Sequence, residues 1–193
     1  MKVHEVIKVG GSLFAEPNAM RLVADWLVVT RRADTVRLLV AGGGPSVDAL
    51  RVIDAANPLS TVASHWAAVQ IMDANTRLLT EWLPGVDLTD SLRDLRPGDS
   101  AWQVRDWLRE TEPTQPGEPL RPGWQTTSDS IAARLASVTG ARLTLLKHSL
   151  TKAYATPEAA AAAGVVDPEL PRHTEGVPGF RLCGAISPGL GGT

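Results

Sequence analysis

Val36-Arg37-Leu38-Leu39-Val40-Ala41 runs directly into Gly42-Gly43-Gly44, and Pro45-Ser46 then opens a segment with Val47, Leu50 and Ile53 at helical spacing. An almost unbroken apolar run of that length fits a strand covered on both faces, as the strands of parallel sheets are. Proline suits a first helical turn, where its missing N–H is not needed. The same unit stands at the N-terminus. Val3 to Val9 is β-rich and ends in Gly10-Gly11-Ser12; after Pro17, Met20, Val23, Ala24, Leu27 and Val28 recur on one helical face. Strand, glycine turn and helix, twice over, predict an α/β fold with helices covering a mainly parallel sheet.

Outward from these units the pattern continues. Ser60 to Trp82 reads as a long helix with Val62, Trp66, Val69, Met72 and Leu79 among its apolar positions. Val86-Asp87-Leu88 fits a short strand, and Ala101 to Leu108 a short amphipathic helix. From Glu112 to Gly123 the chain is dense in Pro and Gly, which predicts an exposed loop or flap. It is no domain boundary, because the alternation resumes at once. Ser128 to Val138 is helical, with Ile131, Ala132, Leu135 and Ala136 on one face, and Arg142 to Lys147 is the next buried strand. Thr156-Pro157-Glu158 opens a short helix through Ala159–Ala163, closed by Gly164. The tail from Pro168 is again rich in Pro and Gly, and disorder is expected over 188–193. A single domain spanning 1–193 is the expectation.

Composition bounds the function. The chain has 193 residues, 44% hydrophobic and 21% charged, which suits one well-cored globular domain. A net charge of −2 predicts no general attraction to nucleic acid or to a membrane. Cys183 is the single cysteine, so neither an internal disulfide nor a cysteine-rich zinc site can form. No stretch has the apolar length to span a bilayer, and no metal-ligand spacing links the histidines. These features predict a soluble, cytoplasmic protein. Of its 19 basic residues only four are lysines: Lys2, Lys8, Lys147 and Lys152.

Two glycine turns after parallel strands would place backbone N–H groups at the carboxyl edge of one sheet. Helix N-termini and glycine nests there attract anions. Lys8 sits two residues before Gly10, where a point charge could neutralise a phosphoryl group. The sequence contains no Gly-x-x-x-x-Gly-Lys-Ser/Thr, and Val47 stands where Gly-x-Gly-x-x-Gly would need its last glycine. Phosphate chemistry is therefore expected outside the P-loop and dinucleotide-binding classes. On the long helix, His65, Val69, Met72 and Asp73 share roughly one face. If that face lines a pocket, His65 and Arg51 could hold an anion such as a phosphate monoester; otherwise His65 is a packed or surface histidine. Trp102, Trp107 and Trp124 flank the Pro/Gly loop, with core packing the preferred fate over an aromatic lid.

Lys8-Val-Gly-Gly-Ser12, Gly42-Gly43-Gly44-Pro45 and Thr127-Ser128-Asp129-Ser130-Ile131-Ala132-Ala133, in that order, resemble the amino acid kinase superfamily. That group includes aspartokinase, acetylglutamate kinase and uridylate kinase. The compact length, the Thr127–Ala132 block and Ser64-His65-Trp66 are most similar to the small aspartokinase-like kinases that include aminomethylfuran-methyl phosphate kinase of methanofuran biosynthesis. The resemblance implies a three-layer αβα sandwich and an ATP-dependent kinase. Its nucleotide would bind at Gly10, Gly11 and Ser12, with Mg²⁺ carried mainly on the nucleotide phosphates. Lys8 would stabilise the phosphoryl in transit and Asp129 would orient the lysines. Gly42, Gly43 and Gly44, with Arg51, His65, Thr127 and Ser128, would hold a small-molecule phosphoryl acceptor. It further implies a homo-oligomer, dimer or larger.

The C-terminal third departs from that pattern. Where relatives carry Val-Asp-Gly-Val/Ile-Tyr, this chain reads Thr151-Lys152-Ala153-Tyr154, and no lysine follows Lys152. Either Lys147 or Lys152 then supplies the second cation, Lys147 at the catalytic centre or Lys152 at the nucleotide, or the nucleotide site is altered. Three functions stay open: phosphorylation of a small anionic acceptor such as a phosphate monoester in one-carbon cofactor biosynthesis, phosphorylation of a carboxylate, and ligand binding or assembly without catalysis.

Overall fold

The computed structural model describes residues 2–148, 150 and 152–184. Six strands form one sheet: β1 (Glu5–Val9), β2 (Val36–Ala41), β3 (Val86–Thr89), β4 (Gly98–Trp102), β5 (Arg142–Lys147) and β6 (Phe180–Gly184). Their order is β3-β4-β2-β1-β5-β6, and every pairing is parallel. The helices are α1 (Ala19–Thr30), α2 (Gly44–Ala56), α3 (Thr61–Trp82), α4 (Ser128–Thr139) and α5 (Pro157–Ala162).

The central strands are apolar because both faces are covered. On one face Val6, Val40, Leu143 and Leu145 pack with Ile131 and Leu135 of α4. On the other, Ile7, Leu39 and Leu146 pack with Val23 and Leu27 of α1. This is the three-layer αβα arrangement expected from the sequence. Local signals fix the ends of α4. The Thr127 hydroxyl accepts from the Asp129 N–H at 3.2 Å, and Gly140 closes the helix at φ 65°. Ser60 caps α3 and Thr156 caps α5 in the same way.

One expectation needs correction, and the structure adds detail to others. The segment Ala101 to Leu108 is not a helix: Gly98–Trp102 is strand β4, and a π-turn follows at Trp107–Thr111. Asp99 and Ser100 hid the strand, since both are polar yet buried. No residue of α2 is buried, so Val47, Leu50 and Ile53 do not make a core face. The Pro/Gly-rich tail contains a strand, β6, paired to β5; residues 188–193 lie outside the described residues. The tryptophans divide: Trp102 and Trp107 are in the core, whereas Trp124 is half-buried beside a cavity. The 112–123 loop is exposed over much of its length but anchored. Buried Glu112 accepts from Arg134 at 2.8 Å and from the Leu120 N–H at 3.1 Å, and Arg134 also donates to the Pro116 carbonyl at 2.8 Å.

Candidate active site

Lys8 and Lys147 lie near the carboxyl ends of β1 and β5, which are neighbours in the sheet. Their side chains share the face on which α4 packs, and Asp129 in the first turn of α4 meets both. Lys8 Nζ is 2.9 Å from Asp129 Oδ1, and Lys147 Nζ is 2.6 Å from Oδ2. The Lys147 contact is a directed hydrogen bond; Lys8 approaches Oδ1 as an ion pair without hydrogen-bond alignment. Lys8 is 5% exposed and Asp129 4%.

Two cations on one carboxylate shift the titrations. Burial works to raise the Asp129 pKa, but the charges of Lys8 and Lys147 overcome it and hold the carboxyl at about 2. Burial, and then the charge of Lys8, lowers Lys147 to about 8, with Asp129 and Asp167 opposing the fall. Asp129 is thus a permanent anion and a very weak base, whereas Lys147 titrates just above neutrality.

The glycine turns lie against each other. A Cβ on Gly11 would stand 2.2 Å from the Gly44 nitrogen, and one on Gly42 would stand 2.3 Å from the Gly11 nitrogen. Only hydrogen fits there. Gly44 also has φ +55°, which a side chain would strain. The turns do not offer every N–H to an anion, as the sequence suggested. Gly10 N–H donates to the Leu146 carbonyl at 2.8 Å and Gly42 N–H to the Val9 carbonyl at 2.9 Å, so both extend the sheet. Gly11 and Ser12 precede the first hydrogen bond of a 3-10 turn over Gly11–Ala15, so their N–H groups take no partner from it.

Sequence reasoning missed Asn75. This buried α3 side chain donates to the carbonyls of Gly42 and Gly43 at 2.8 and 2.9 Å. In trans peptides the N–H groups of Gly43 and Gly44 then point away from Asn75. Asp167 was missed too. It accepts from the Thr127 hydroxyl, the Ser130 hydroxyl and the N–H groups of Ser130 and Leu170, tying the later chain to the start of α4. Neither belonged to an apolar period or a glycine motif, so neither carried a sequence signal.

A cavity of about 150 Å³ is lined by Gly43, Gly44, Arg51, His65, Thr127 and Ser128, together with Val47, Met72 and Trp124. It gathers every acceptor residue expected from the sequence except Gly42, which lies buried beneath. The Arg51 guanidinium sits 4.3 Å from the Trp124 ring centre, and the Trp124 indole donates to Asp54 at 2.7 Å. Burial lowers the His65 pKa, opposed by a hydrogen bond to the Gly123 backbone, which favours a neutral ring near pH 7. Ser12 is exposed. Lys152 stands apart from the lysine pair in its contacts: it is exposed, 5.3 Å from the Tyr154 ring centre.

Among the described residues no three His, Cys, Asp or Glu side chains group as a metal site. Asp129 and Asp167 are already committed to protein donors. Nor is any helix of the described residues long and apolar enough to cross a membrane.

No protein-family model and no curated relative matches the chain. Solved structures do. Uridylate kinase from Archaeoglobus fulgidus aligns with TM-score 0.53 and 19% identity, over 82% of this chain and 69% of that one. Aspartate kinase from Synechocystis aligns with TM-score 0.65 and 16% identity, over 96% of this chain but 38% of that one. UMP kinase from Bacillus anthracis gives 0.62 and 10%, over 97% and 89%. At these identities the likeness shows the fold: the chain has the α/β fold of these small-molecule kinases.

Proposed function

We propose that this protein is an ATP-dependent phosphotransferase acting on a small anionic acceptor. The observation that carries the reading is Asp129 holding Lys8 and Lys147 side by side at the carboxyl edge of the sheet. Phosphoryl transfer needs positioning and charge neutralisation more than covalent help. An ammonium has three donors, and Asp129 is the sole ion-pair partner of Lys8 and of Lys147 among the described residues, so both retain donors for phosphate oxygens.

In this reading the acceptor lies in the cavity with its anionic group near Arg51 and the Gly43–Gly44 turn. The nucleotide phosphates lie over Lys8 and the N–H groups of Gly11 and Ser12, carrying Mg²⁺ with them. An acceptor oxygen bonds to the γ-phosphorus as the bond to the β–γ bridging oxygen breaks, releasing ADP. Lys147 supplies the second cation, in place of a lysine later in the chain. A phosphate monoester fits best. Its oxygen, like that of a carboxylate, is already an anion and needs no base, which sets both above a neutral alcohol, since Asp129, at about 2, is not a base. The apolar and aromatic lining from Val47, Met72 and Trp124 suits a ring-bearing monoester, in keeping with a step in one-carbon cofactor biosynthesis.

A panel of phosphorylated alcohols and amines, scored for ADP release with ATP and Mg²⁺, tests the proposal. Acceptor-dependent ADP is expected from a phosphate monoester, together with thermal stabilisation by ATP. If ADP appears only with free carboxylates, the acceptor assignment is wrong. If no acceptor works and saturating ATP leaves the melting temperature unchanged, the fold here binds without catalysing.

A further inference from the structure

A second charged cavity lies at the opposite, amino edge of the sheet. It measures about 220 Å³ and is lined by Arg32, Arg142 and Arg181 with Glu5, Thr144 and Phe180. The register explains the grouping. Glu5 pairs with Arg142 across β1 and β5, and Thr144 pairs with Arg181 across β5 and β6. Arg142 and Thr144 are two residues apart on one strand, so all four side chains fall on one face of the sheet, the face that α1 covers further along. Arg32 joins them from the end of α1.

Grouping sets this cluster apart: eight of the 15 arginines have no ion-pair partner among the described residues, and three of those eight share this one cavity. Arg21, Arg31, Arg37, Arg105, Arg121, Arg134 and Arg172 each sit on a carboxylate. Arg32, Arg142 and Arg181 have no ion-pair partner among the described residues, although Glu5 lines the same cavity. Glu5 instead accepts from the Thr144 hydroxyl at 2.6 Å. Three guanidinium groups against one carboxylate leave a charge of about +2 in a small concavity, the complement of a phosphate monoester near pH 7. Arginine is suited to it, because its planar fork binds phosphate oxygens in pairs.

We infer that the Arg32–Arg142–Arg181 cavity is a second anion site, one that takes the phosphate group of a small phosphorylated ligand. It is separate from the lysine cleft and stands whether or not the chain is a kinase. It lies on β1 and β5, the same strands that end in Lys8 and Lys147, but at their other ends.

Equilibrium dialysis of the full chain against inorganic phosphate, at fixed ionic strength in chloride, tests this. The probe fits both the lysine cleft and the arginine cavity, so the readout is the number of phosphates bound. The triple variant Arg32→Gln/Arg142→Gln/Arg181→Gln is expected to bind one fewer phosphate per chain than the wild type. Arg181→Gln alone should weaken that site roughly tenfold, as expected for a lost charge-assisted hydrogen bond. All three arginines are exposed, and an unchanged melting temperature without phosphate confirms that the variants fold. Arg93→Gln/Arg96→Gln, which removes exposed arginines elsewhere, should leave the number unchanged. The inference is overturned if the triple variant binds as many phosphates as the wild type, if the Arg93/Arg96 variant loses one equally, or if the wild type binds none.

Discussion

Two clusters built on a buried carboxylate, one towards each end of the sheet, have the same stoichiometry and opposite chemistry. At the carboxyl edge, Asp129 holds Lys8 and Lys147. Near the amino edge, Asp99 of β4 holds Arg31 and Arg37. Arg37 spends its donors within the protein: Nε and Nη2 on Asp99 at 2.5 and 2.8 Å, Nη1 on the Thr30 hydroxyl at 2.9 Å, and Nη2 again on the Leu27 carbonyl at 2.7 Å. A forked cation with four of its five N–H donors spent locks α1 to the sheet and has little left for a ligand. The lysines touch Asp129 and keep donors in hand. A chain that writes 15 of its 19 basic residues as Arg puts two of its four lysines at this one carboxylate. The difference separates a cluster that builds the fold from one that the fold holds ready.

The sharpest break of this comparison is Asp99→Ala. It strands two arginines, one of them fully buried, and should cost about 3–5 kcal/mol. In a chain of this length that lowers the melting temperature by roughly 10 °C, read by calorimetry, with turnover per folded molecule unchanged. Loss of turnover in folded protein would mean that the amino-edge cluster also serves the cleft. Lys8→Met should do the reverse. Asp129 keeps Lys147, so stability changes little, while the rate of phosphoryl transfer falls roughly 10²–10³-fold. A large drop in melting temperature with activity intact would make the lysine pair structural.

The smallest effect is in pH. Lys147, held at about 8 when folded, binds fewer protons than the unfolded chain between pH 8 and the ordinary lysine value of 10.5. Stability therefore gains from this group as pH rises through that window. ATP affinity and turnover should fall over the same window, because the neutral amine no longer stabilises phosphate. Asp129 acts at the acid end: its contribution to stability is present above 3.8 and is lost as pH falls towards about 2. Binding titrations and melting curves from pH 6 to 10 should cross in opposite directions. Parallel curves would dissociate Lys147 from the ligand.

How much of this the sequence revealed follows from burial. β2 and β5 were legible to the residue, because cover on both faces leaves each a run of apolar residues, broken inside the strand only at Arg37 and Thr144. β4 was not, because Asp99 and Ser100 spend polarity in the interior. Strand ends put Lys8 and Lys147 at one sheet edge, and that Asp129 joins them was implied only by the resemblance of its motif. Asn75 and Asp167 could not, since the bonds that bring them to the site are to groups more than 30 residues away in sequence. Lys152 was proposed because it stands where relatives carry Val-Asp-Gly-Val/Ile-Tyr, and the contact its side chain makes is with the Tyr154 ring, 5.3 Å from its centre.

The contact between the glycine turns has a consequence for how the molecule can vary. Two loops that begin 32 residues apart, at Gly10 and Gly42, touch through hydrogens alone at Gly11, Gly42 and Gly44. The spacing between the two loops is therefore set by the thickness of two peptide backbones and not by any side chain. Substituents elsewhere in the cavity can reshape what it admits while this gauge stays constant. A single methyl group at Gly11 would move the two halves of the cleft apart, and no compensating truncation is open, because nothing smaller than glycine exists.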